Sequence, residues 1–235
     1  MDLERIFLTG GSGTLGTELI NISKVHNVEF VAPTSKICNI LNVEQVKNLV
    51  RTSGCDVIVH SAAATDVRAI ENDPSTAWEV NVLGTLNVLQ VCRELGKKMV
   101  FISTDYVFDG EKGNYTINDP INPLSKYAKT KAAAELMVRT YEHSLVIRTS
   151  FFGYEFPYES ALVDQWTTKD YVDIVALKVI NAILDNPKGI VHIGSDRRTI
   201  YDIAKERCTN VNKLYRCDVD EPIPKDISLI SQQED

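Results

Sequence analysis

Short apolar runs alternate along this chain with longer segments whose apolar residues recur at helical spacing. Several of the short runs are apolar throughout, which is typical of strands covered on both faces of a sheet. We predict that these runs form β-strands: RIFLTG (5–10), VEFVA (28–32), VIVH (57–60), MVFIST (99–104), LVIRTS (145–150) and IVHIGS (190–195). Regular alternation of strand and helix predicts an α/β fold with a Rossmann-type, doubly wound parallel sheet.

The same pattern divides the chain near residue 150. Residues 1–150 carry the regular alternation, so we predict that they form the Rossmann domain. Residues 151–235 are more polar and are predicted to form a small C-terminal lobe. Within that stretch, 170–195 is expected to return one helix and one strand to the first domain. No repeat, low-complexity tract or flexible linker marks a further boundary.

Composition and charge exclude several classes of protein. The chain has 235 residues, 44% of them hydrophobic, and a formal net charge of −7. An acidic protein is unsuited to coating nucleic acid, which requires clustered Lys and Arg. No apolar run approaches the roughly 20 residues of a membrane span, and the N-terminal sequence lacks a signal-peptide pattern. The five cysteines include no C-x-x-C pair, so no metal site is predicted. Taken together, the charge and the lack of a membrane-span or signal-peptide pattern lead us to expect a soluble, cytoplasmic protein without nucleic-acid or membrane partners.

The first predicted strand ends in the glycine-rich segment TGGSGTLG. Gly10, Gly13 and Gly16 give G-x-x-G-x-x-G spacing between a strand and a helix, which is the setting of dinucleotide-binding turns. Such glycines let the backbone approach a pyrophosphate, which the first N–H groups of the helix then bind. We predict that this turn, with Thr14 and Leu15, binds a dinucleotide. An ordinary tight turn is the alternative.

The end of the second strand bears on which cofactor is preferred. An Asp or Glu there would bind the adenosine ribose 2′-hydroxyl of NADH and repel the 2′-phosphate of NADPH. This chain has Ser35 and Lys36 in the segment APTSK, without a carboxylate. Hydroxyls and a cation tolerate a 2′-phosphate, but a solvated loop with an incidental lysine explains the segment equally well. The preference between NADPH and NADH therefore stays open.

The motif YAKTK at 127–131 opens a run of good helix formers. Residues four apart share a helix face, so Tyr127 and Lys131 can reach a common partner. A surface helix with a half-buried tyrosine and a lysine extended along it is the alternative. Spacing alone does not decide between the two interpretations.

Several longer motifs occur in order along most of the chain. They are FLTGGSGTLG (7–16), VIVHSAAATDV (57–67), NVLGTLNV (81–88), VFISTDYVFDG (100–110), NPLSKYAKTKAAAE (122–135), VIRTSFFG (146–153), DYVDIVALKVI (170–180) and PKDISL (224–229). With these motifs the chain resembles the extended short-chain dehydrogenase/reductases. Within them it resembles the dTDP-4-dehydrorhamnose reductase group, which reduces 4-keto nucleotide sugars. The combination of STDYVFDG with YAKTK is the most specific part of the resemblance.

The resemblance implies an NAD(P)H-dependent reductase whose substrate is a 4-keto-6-deoxyhexose nucleotide. It implies that Tyr127 donates a proton to the carbonyl oxygen as hydride reaches C4. Lys131 is expected to lower the pKa of that tyrosine, which is about 10 when unperturbed, and to hold the nicotinamide ribose. Thr104 is expected to hydrogen-bond the same carbonyl oxygen. These are the roles of a general acid with electrostatic helpers.

The resemblance also implies residues around the two ligands. Residues beside the cofactor are implied at Asn39, Ile40, Ala62, Ala63, Ala64, Asn81 and Ser103. Asn81 is expected to be buried beside the tyrosine-bearing helix, where its side chain bridges backbone groups. Residues on the substrate side are implied at Asp105, Val107, Phe108 and Phe151.

One segment departs from the pattern of the resembled group. The stretch YEFPYESALVDQWTTK, between RTSFFG and DYVDIVAL, is shorter than its counterpart, so the C-terminal lobe is expected to be a trimmed substrate lobe. A homodimer or a partner from the same pathway would then complete the pocket. Two alternatives remain open: a related nucleotide-sugar epimerase or dehydratase, and a non-catalytic NADP-binding regulatory subunit. The nucleotide, dTDP, UDP or GDP, also stays open.

Overall fold

A computed structural model of the protein describes residues 4–185, 187–220 and 223–231. The strands, in chain order, are β1 (Glu4–Thr9), β2 (Val28–Val31), β3 (Val57–His60), β4 (Lys98–Ser103), β5 (Ser144–Arg148), β6 (Phe151–Phe152), β7 (Ser160–Leu162), β8 (Trp166–Thr167), β9 (Asp170–Tyr171), β10 (Gly189–His192), β11 (Arg198–Thr199) and β12 (Asn212–Leu214). In the described ranges, six of them form a parallel sheet in the order β10-β5-β4-β3-β1-β2. Each apolar run that was predicted to be a strand lies in this sheet. The predicted Rossmann-type fold is confirmed.

Helices connect the strands. They are α1 (Thr14–Ile22), α2 (Val43–Ser53), α3 (Val67–Asn72), α4 (Ser75–Ala77), α5 (Thr85–Leu95), α6 (Lys126–Val138), α7 (Val172–Leu184) and α8 (Ile200–Arg207). A π-helical segment, Trp78–Gly84, joins α4 to α5. Ser125 caps α6, because its side chain accepts a hydrogen bond from the Ala128 N–H. The cap fixes where the helix that carries Tyr127 begins.

Both faces of the central sheet are covered by helices. Ile6 and Leu8 on β1 contribute to the apolar layer that includes α1 and α7. Phe7, between them, contributes to the opposite layer, which includes α2, α5 and α6. Alternate residues of a strand point to opposite faces, so a strand buried on both sides is apolar throughout. The carboxyl ends of β1, β3 and β4 meet at one edge, and the loops that follow them carry the predicted motifs.

The C-terminal lobe is built from short paired strands. The pairs are β6 with β9, β7 with β12 and β8 with β11. They surround an apolar cluster that includes Phe152, Tyr171 and Ile203. From 170–195, α7 packs on the central sheet and β10 extends it beside β5. Within the described ranges, no helix combines the length and apolar character of a membrane span.

Candidate active site

The glycine turn between β1 and α1 is too tight for side chains. Gly10 has a φ of +79°, and the Gly13 N–H donates to the Gly10 carbonyl oxygen (3.0 Å). A methyl group at Gly16 would overlap that oxygen and lie 2.7 Å from the Gly11 Cα. Among the described residues, no side chain caps α1, whose N-cap residue is Gly13. The first N–H groups of α1 are therefore available to an anion such as a pyrophosphate.

A cavity of about 320 Å³, called here the glycine-turn cavity, lies beside this turn. The predicted cofactor residues in its lining are Gly10, Gly13, Ser35, Asn39, Ile40, Ala62 and Ala63. Lys36 is exposed in the same loop. Leu15 lies in the first turn of α1, and its side chain is buried in the apolar layer with Leu19. Leu15 can offer a ligand only its backbone.

Asn81 fixes the loop that follows β3. Its Oδ1 accepts the Ala64 N–H (2.8 Å), and its Nδ2 donates to the Ala64 carbonyl oxygen (3.0 Å). The same Nδ2 donates to Thr130 Oγ1 (3.0 Å) on α6. The expected bridge between backbone groups is present, and it is made from the π-helical segment, a feature often found at functional sites. This buried amide ties the loop beside the glycine turn to the helix that carries Tyr127.

A second cavity, of about 380 Å³, is called here the tyrosine cavity. It shares Ser61 and Ala63 with the glycine-turn cavity. The predicted site residues in its lining are Thr14, Ala63, Ser103, Thr104, Tyr127, Lys131 and Phe151. The fold thus brings together side chains from β4, α6, β6 and the loops after β1 and β3. A dinucleotide whose pyrophosphate lies at the glycine turn would reach Tyr127 with its other end.

Tyr127 is held as a neutral phenol. Burial raises its pKa and the Asp105 carboxylate raises it further, whereas a hydrogen bond with Thr104 lowers it. The net shift is upward, opposite to the lowering that the resemblance implies. Tyr127 therefore keeps its proton at neutral pH, which is the state from which a general acid starts.

Lys131 lies one helical turn from Tyr127 and is buried. Its ammonium group donates to the Ile102 carbonyl oxygen (2.7 Å) and lies 4.2 Å from the centre of the Phe101 ring. Burial lowers its pKa to about 7, against an opposing influence of Glu135. At neutral pH Lys131 is consequently close to the point where its charged and neutral forms are equally populated.

Asp105 organises the hydroxyl groups at the end of β4. Its carboxylate accepts hydrogen bonds from Ser150, from Thr104 Oγ1 (3.2 Å) and from Thr167 Oγ1 (3.3 Å). Burial raises its pKa, and these bonds together with the Lys169 ammonium oppose the rise. The carboxylate therefore orients Thr104, while direct contact between Asp105 and a substrate stays a prediction.

Val107 and Phe108 require a correction, because their side chains are not available to a substrate. They are 0% and 1% exposed, in an apolar cluster with Tyr115 and Ile227. The Phe108 ring stacks on Tyr115 with centroids 4.0 Å apart, and the Arg148 guanidinium lies 5.0 Å from the Phe108 ring centre. Both side chains pack the loop after β4 against the stretch 223–231.

A third cavity, of about 870 Å³, is called here the lobe cavity, because it lies between α3 and the C-terminal lobe. Its lobe side includes Phe156, Leu162 and Ile200. The residues that line both this cavity and the tyrosine cavity are Thr65, Val67, Tyr106, Tyr158 and Lys169. The two cavities therefore adjoin, and the segment expected to be trimmed still supplies much of the lobe side.

Comparison with known proteins identifies the family. A profile described as the RmlD substrate binding domain matches residues 4–179. The chain belongs to this family. Spore coat polysaccharide biosynthesis protein SpsK from Bacillus subtilis is 32% identical to this RmlD-family chain over 211 residues, which cover 82% of this chain and 74% of that protein.

Two dTDP-4-dehydrorhamnose reductases are also similar to this RmlD-family chain. The reductase of Mycobacterium tuberculosis is 31% identical over 154 residues, which cover 63% of this chain but only 50% of that protein. The crystal structure of the Bacillus anthracis reductase in complex with NADP superimposes with a TM-score of 0.89 at 25% identity. That superposition covers 99% of this chain and 92% of the other chain. The predicted resemblance to this group of reductases is confirmed.

Sequence reasoning missed a buried polar network behind the tyrosine cavity of this RmlD-family chain. The Arg148 guanidinium on β5 donates to Glu135 on α6 (2.6 Å) and lies 3.2 Å from His192 Nε2 on β10. Ser103 Oγ also donates to Glu135 (2.7 Å), so the Ser103 side chain is held by the network. An Arg within the apolar run LVIRTS was the available signal, because a buried Arg requires an acidic partner.

Proposed function

We propose that the protein is an NAD(P)H-dependent reductase of a 4-keto-6-deoxyhexose nucleotide, of the dTDP-4-dehydrorhamnose type used in deoxysugar biosynthesis. The single observation that carries the proposal is the tyrosine cavity, where Thr104, Tyr127 and Lys131 meet next to the glycine turn. Membership in the RmlD family and similarity to proteins named dTDP-4-dehydrorhamnose reductase support it.

The residues fit a dinucleotide cofactor. A methyl group at Gly16 would fill the turn, and the uncapped start of α1 suits a pyrophosphate. When bound, the reduced nicotinamide supplies the hydride. The Bacillus anthracis reductase binds NADP, which supports NADPH here. The segment after β2 contains Ser35 and Lys36 and no carboxylate that would repel a 2′-phosphate.

The chain's own groups would manage the proton and the developing charge. Tyr127, which keeps its proton at neutral pH, donates it to the C4 oxygen as that oxygen becomes negative. The single hydroxyl hydrogen of Thr104 is donated to Asp105 in this structure (3.2 Å), so Thr104 would have to rotate away from Asp105 to donate a hydrogen bond to the same oxygen. Proton transfer leaves a phenolate on Tyr127. In its charged form, Lys131, one helical turn away, stabilises that phenolate. The product is the 4-hydroxy sugar nucleotide.

Two alternative functions are less well supported. A dehydratase needs an acidic group facing the sugar after Thr104, whereas the Asp105 carboxylate is engaged by Ser150 and Thr167. A regulatory subunit has no chemical need for Thr104, Tyr127 and Lys131 in one cavity. The relatives named as reductases also favour the reductase proposal.

One assay tests the proposal directly. The protein is mixed with NADPH and a 4-keto-6-deoxyhexose nucleotide, and the absorbance of the reduced nicotinamide is followed. We expect its loss to depend on both the enzyme and the sugar nucleotide, with formation of the 4-hydroxy product. Assays with dTDP, UDP and GDP sugars identify the preferred nucleotide. No oxidation with any of the three would contradict the proposal.

We also propose that the shortened lobe weakens substrate binding unless a second copy or another protein of the pathway completes the pocket. Fewer contacts to the remote parts of a substrate mean poorer orientation of its reacting carbon. The alternative is that the residues of this chain that line the lobe cavity complete the substrate pocket by themselves. Measuring KM over a range of protein concentrations distinguishes a pocket that a second copy completes from a pocket that one chain forms alone. A micromolar KM that is independent of concentration would remove the need for a partner.

A further inference from the structure

Lys169 is a cation for which the proposed chemistry has no role. It lies between β8 and β9 and lines both the tyrosine cavity and the lobe cavity. Its ammonium group lies 4.1 Å from the centre of the Phe152 ring. Among the residues that the structure describes, this ammonium has neither a hydrogen-bond acceptor nor an ion-pair partner. Its three N–H donors are therefore available to a ligand.

Asp105 is the nearest candidate for a partner within the protein. Burial lowers the pKa of Lys169, and the Asp105 carboxylate opposes that change, so the two groups influence each other. They nevertheless form no direct ion pair, and the Asp105 oxygens accept hydrogen bonds from hydroxyl groups that include Ser150 and Thr167. The Asp105 carboxylate thus offsets part of the Lys169 charge, while the N–H donors of Lys169 stay available.

The proposed substrate has three parts in a fixed order: a keto sugar, a diphosphate and a nucleoside. The C4 carbonyl must reach Thr104 and Tyr127, so the sugar occupies the tyrosine cavity. The adjoining lobe cavity, at about 870 Å³, has room for the nucleoside. The diphosphate that joins the two parts must then cross the boundary between the cavities.

Lys169 is the charged residue at that boundary. The other residues that line both cavities are Thr65, Val67, Tyr106 and Tyr158. We propose that Lys169 binds the diphosphate of the nucleotide sugar and so selects nucleotide-linked sugars over free sugars. This inference rests on the proposed reductase function, since that function fixes which cavity holds the sugar.

The acidic side chains around the lobe cavity lie outside its boundary with the tyrosine cavity. Of the three that line it, Asp66 accepts the Ala69 N–H (3.0 Å) as the cap of α3. Glu71 accepts the Lys126 N–H (2.5 Å), and Glu159 is the third. The first two carboxylates are therefore engaged by backbone donors, and the boundary itself carries a cation without a carboxylate.

The experiment compares Lys169→Met, which keeps an apolar stem against Phe152, with Lys169→Arg, which keeps the charge. Calorimetry measures the binding of dTDP, UDP and GDP and of the matching uncharged nucleosides. We expect the wild type to bind one diphosphate at least tenfold more tightly than its nucleoside. Lys169→Met should lose at least tenfold for the diphosphate, and Lys169→Arg should retain most of the affinity. Nucleoside and NADPH affinities and the melting temperature should not change.

Lys213→Met is the matched control, because Lys213 is an exposed lysine of the lobe whose ammonium lies 5.6 Å from the Tyr201 ring centre. It should leave the affinity for the diphosphate unchanged. Unchanged diphosphate affinity in Lys169→Met, equal losses for diphosphate and nucleoside, or no preference for a diphosphate in the wild type would each overturn the assignment.

These titrations need no turnover, so the two proposals fail separately. If diphosphate binding depends on Lys169 but NADPH is not oxidised with any sugar nucleotide, the reductase proposal fails and the Lys169 site stands. If the protein is an active reductase and Lys169→Met leaves the KM for the nucleotide sugar unchanged, only the Lys169 assignment fails.

Discussion

Tyr127 and Lys131 share one face of α6, yet their surroundings act on their protons in opposite ways. Burial and Asp105 hold the proton on Tyr127, whereas burial brings the pKa of Lys131 down to about 7. A neutral phenol is a poor acid until a strong base is placed against it. The alkoxide that develops on C4 during hydride transfer is such a base, so the proton moves only when the reaction requires it.

Replacement of Tyr127 by Phe tests this proton transfer. The change removes the donor and keeps the ring, so we expect kcat to fall by roughly 100-fold or more. NADPH affinity, measured by fluorescence titration, should stay nearly the same. Tyr215→Phe, which removes the hydroxyl of an exposed tyrosine, is the control and should retain full turnover. Near-normal kcat in Tyr127→Phe would exclude the mechanism.

Lys36 tests the preference for NADPH. If its side chain lies near the 2′-phosphate, Lys36→Ala should weaken NADPH binding by about fivefold, as expected for one exposed charge contact of roughly 1 kcal/mol. NADH has no 2′-phosphate, so its affinity should not change. Lys24→Ala removes another exposed lysine and serves as the control. A wild-type preference for NADH of tenfold or more would contradict the hypothesis before any variant is made.

The sequence predicted the helices and strands that are determined by local patterns. It did not predict where side chains lie when their contacts come from distant parts of the chain. β3 was predicted at 57–60 and is found at Val57–His60, because three successive β-branched apolar residues between turns leave few alternatives. By contrast, the burial of Phe108 depends on Ile227, far along the chain, and no local pattern encodes that contact. The pairing of Lys131 with Ile102 and the boundary position of Lys169 likewise arise from tertiary packing.

The same distinction applies to the residues of the candidate active site. Tyr127 and Lys131 were predictable because helical spacing places them on one face, and the resemblance supplied their roles. The motif predicted Leu15 beside the cofactor, but it did not show that the apolar side chain of Leu15 packs in the core and leaves only the backbone for a ligand. The π-helical segment that carries Asn81 has no distinct sequence signal, since its geometry depends on contacts with the loop after β3 and with α6.

Gly16 provides a test of the β1–α1 unit. In Gly16→Ala the new methyl group would overlap the Gly10 carbonyl oxygen, and backbone cannot move aside without shifting α1. We expect NADPH affinity to fall by roughly tenfold or more and the melting temperature to drop by several degrees. Gly153→Ala is the matched control for stability, because its added methyl group meets no atom within 4 Å. An unchanged NADPH affinity in Gly16→Ala would show that the turn does not hold the cofactor.

The network of Glu135, Arg148 and His192 connects parts of the molecule that are distant in sequence. It joins α6, β5 and β10, and His192 Nδ1 lies 3.1 Å from the Tyr115 carbonyl oxygen in the loop after β4. Both Glu135 and Arg148 are 0% exposed. A buried charge that loses its partner is costly, so these residues act on the stability of the whole domain.

Arg148→Met measures that cost. It removes the closer cation of the buried Glu135 carboxylate and leaves only the partly exposed Arg139 guanidinium, at 3.7 Å, so we expect the free energy of unfolding to fall by about 3–5 kcal/mol in urea denaturation. Adding Glu135→Leu removes the stranded charge, and the double variant should recover a large part of the loss. A double variant no more stable than Arg148→Met would mean that the network stabilises the fold through geometry instead of charge balance.

The contact between 223–231 and the loop around Tyr115 also affects how the chain is made. The Asn114 N–H donates to Ser228 Oγ (2.8 Å) across a separation of 114 residues. A ribosome adds ~5–20 residues per second, so the loop after β4 remains without this partner for roughly ten seconds of translation. During that interval Val107 and Phe108 lack the cover that Ile227 and Leu229 later provide. The nascent chain therefore exposes these apolar side chains for a time set by the elongation rate, and slower codons after β10 would lengthen that exposure.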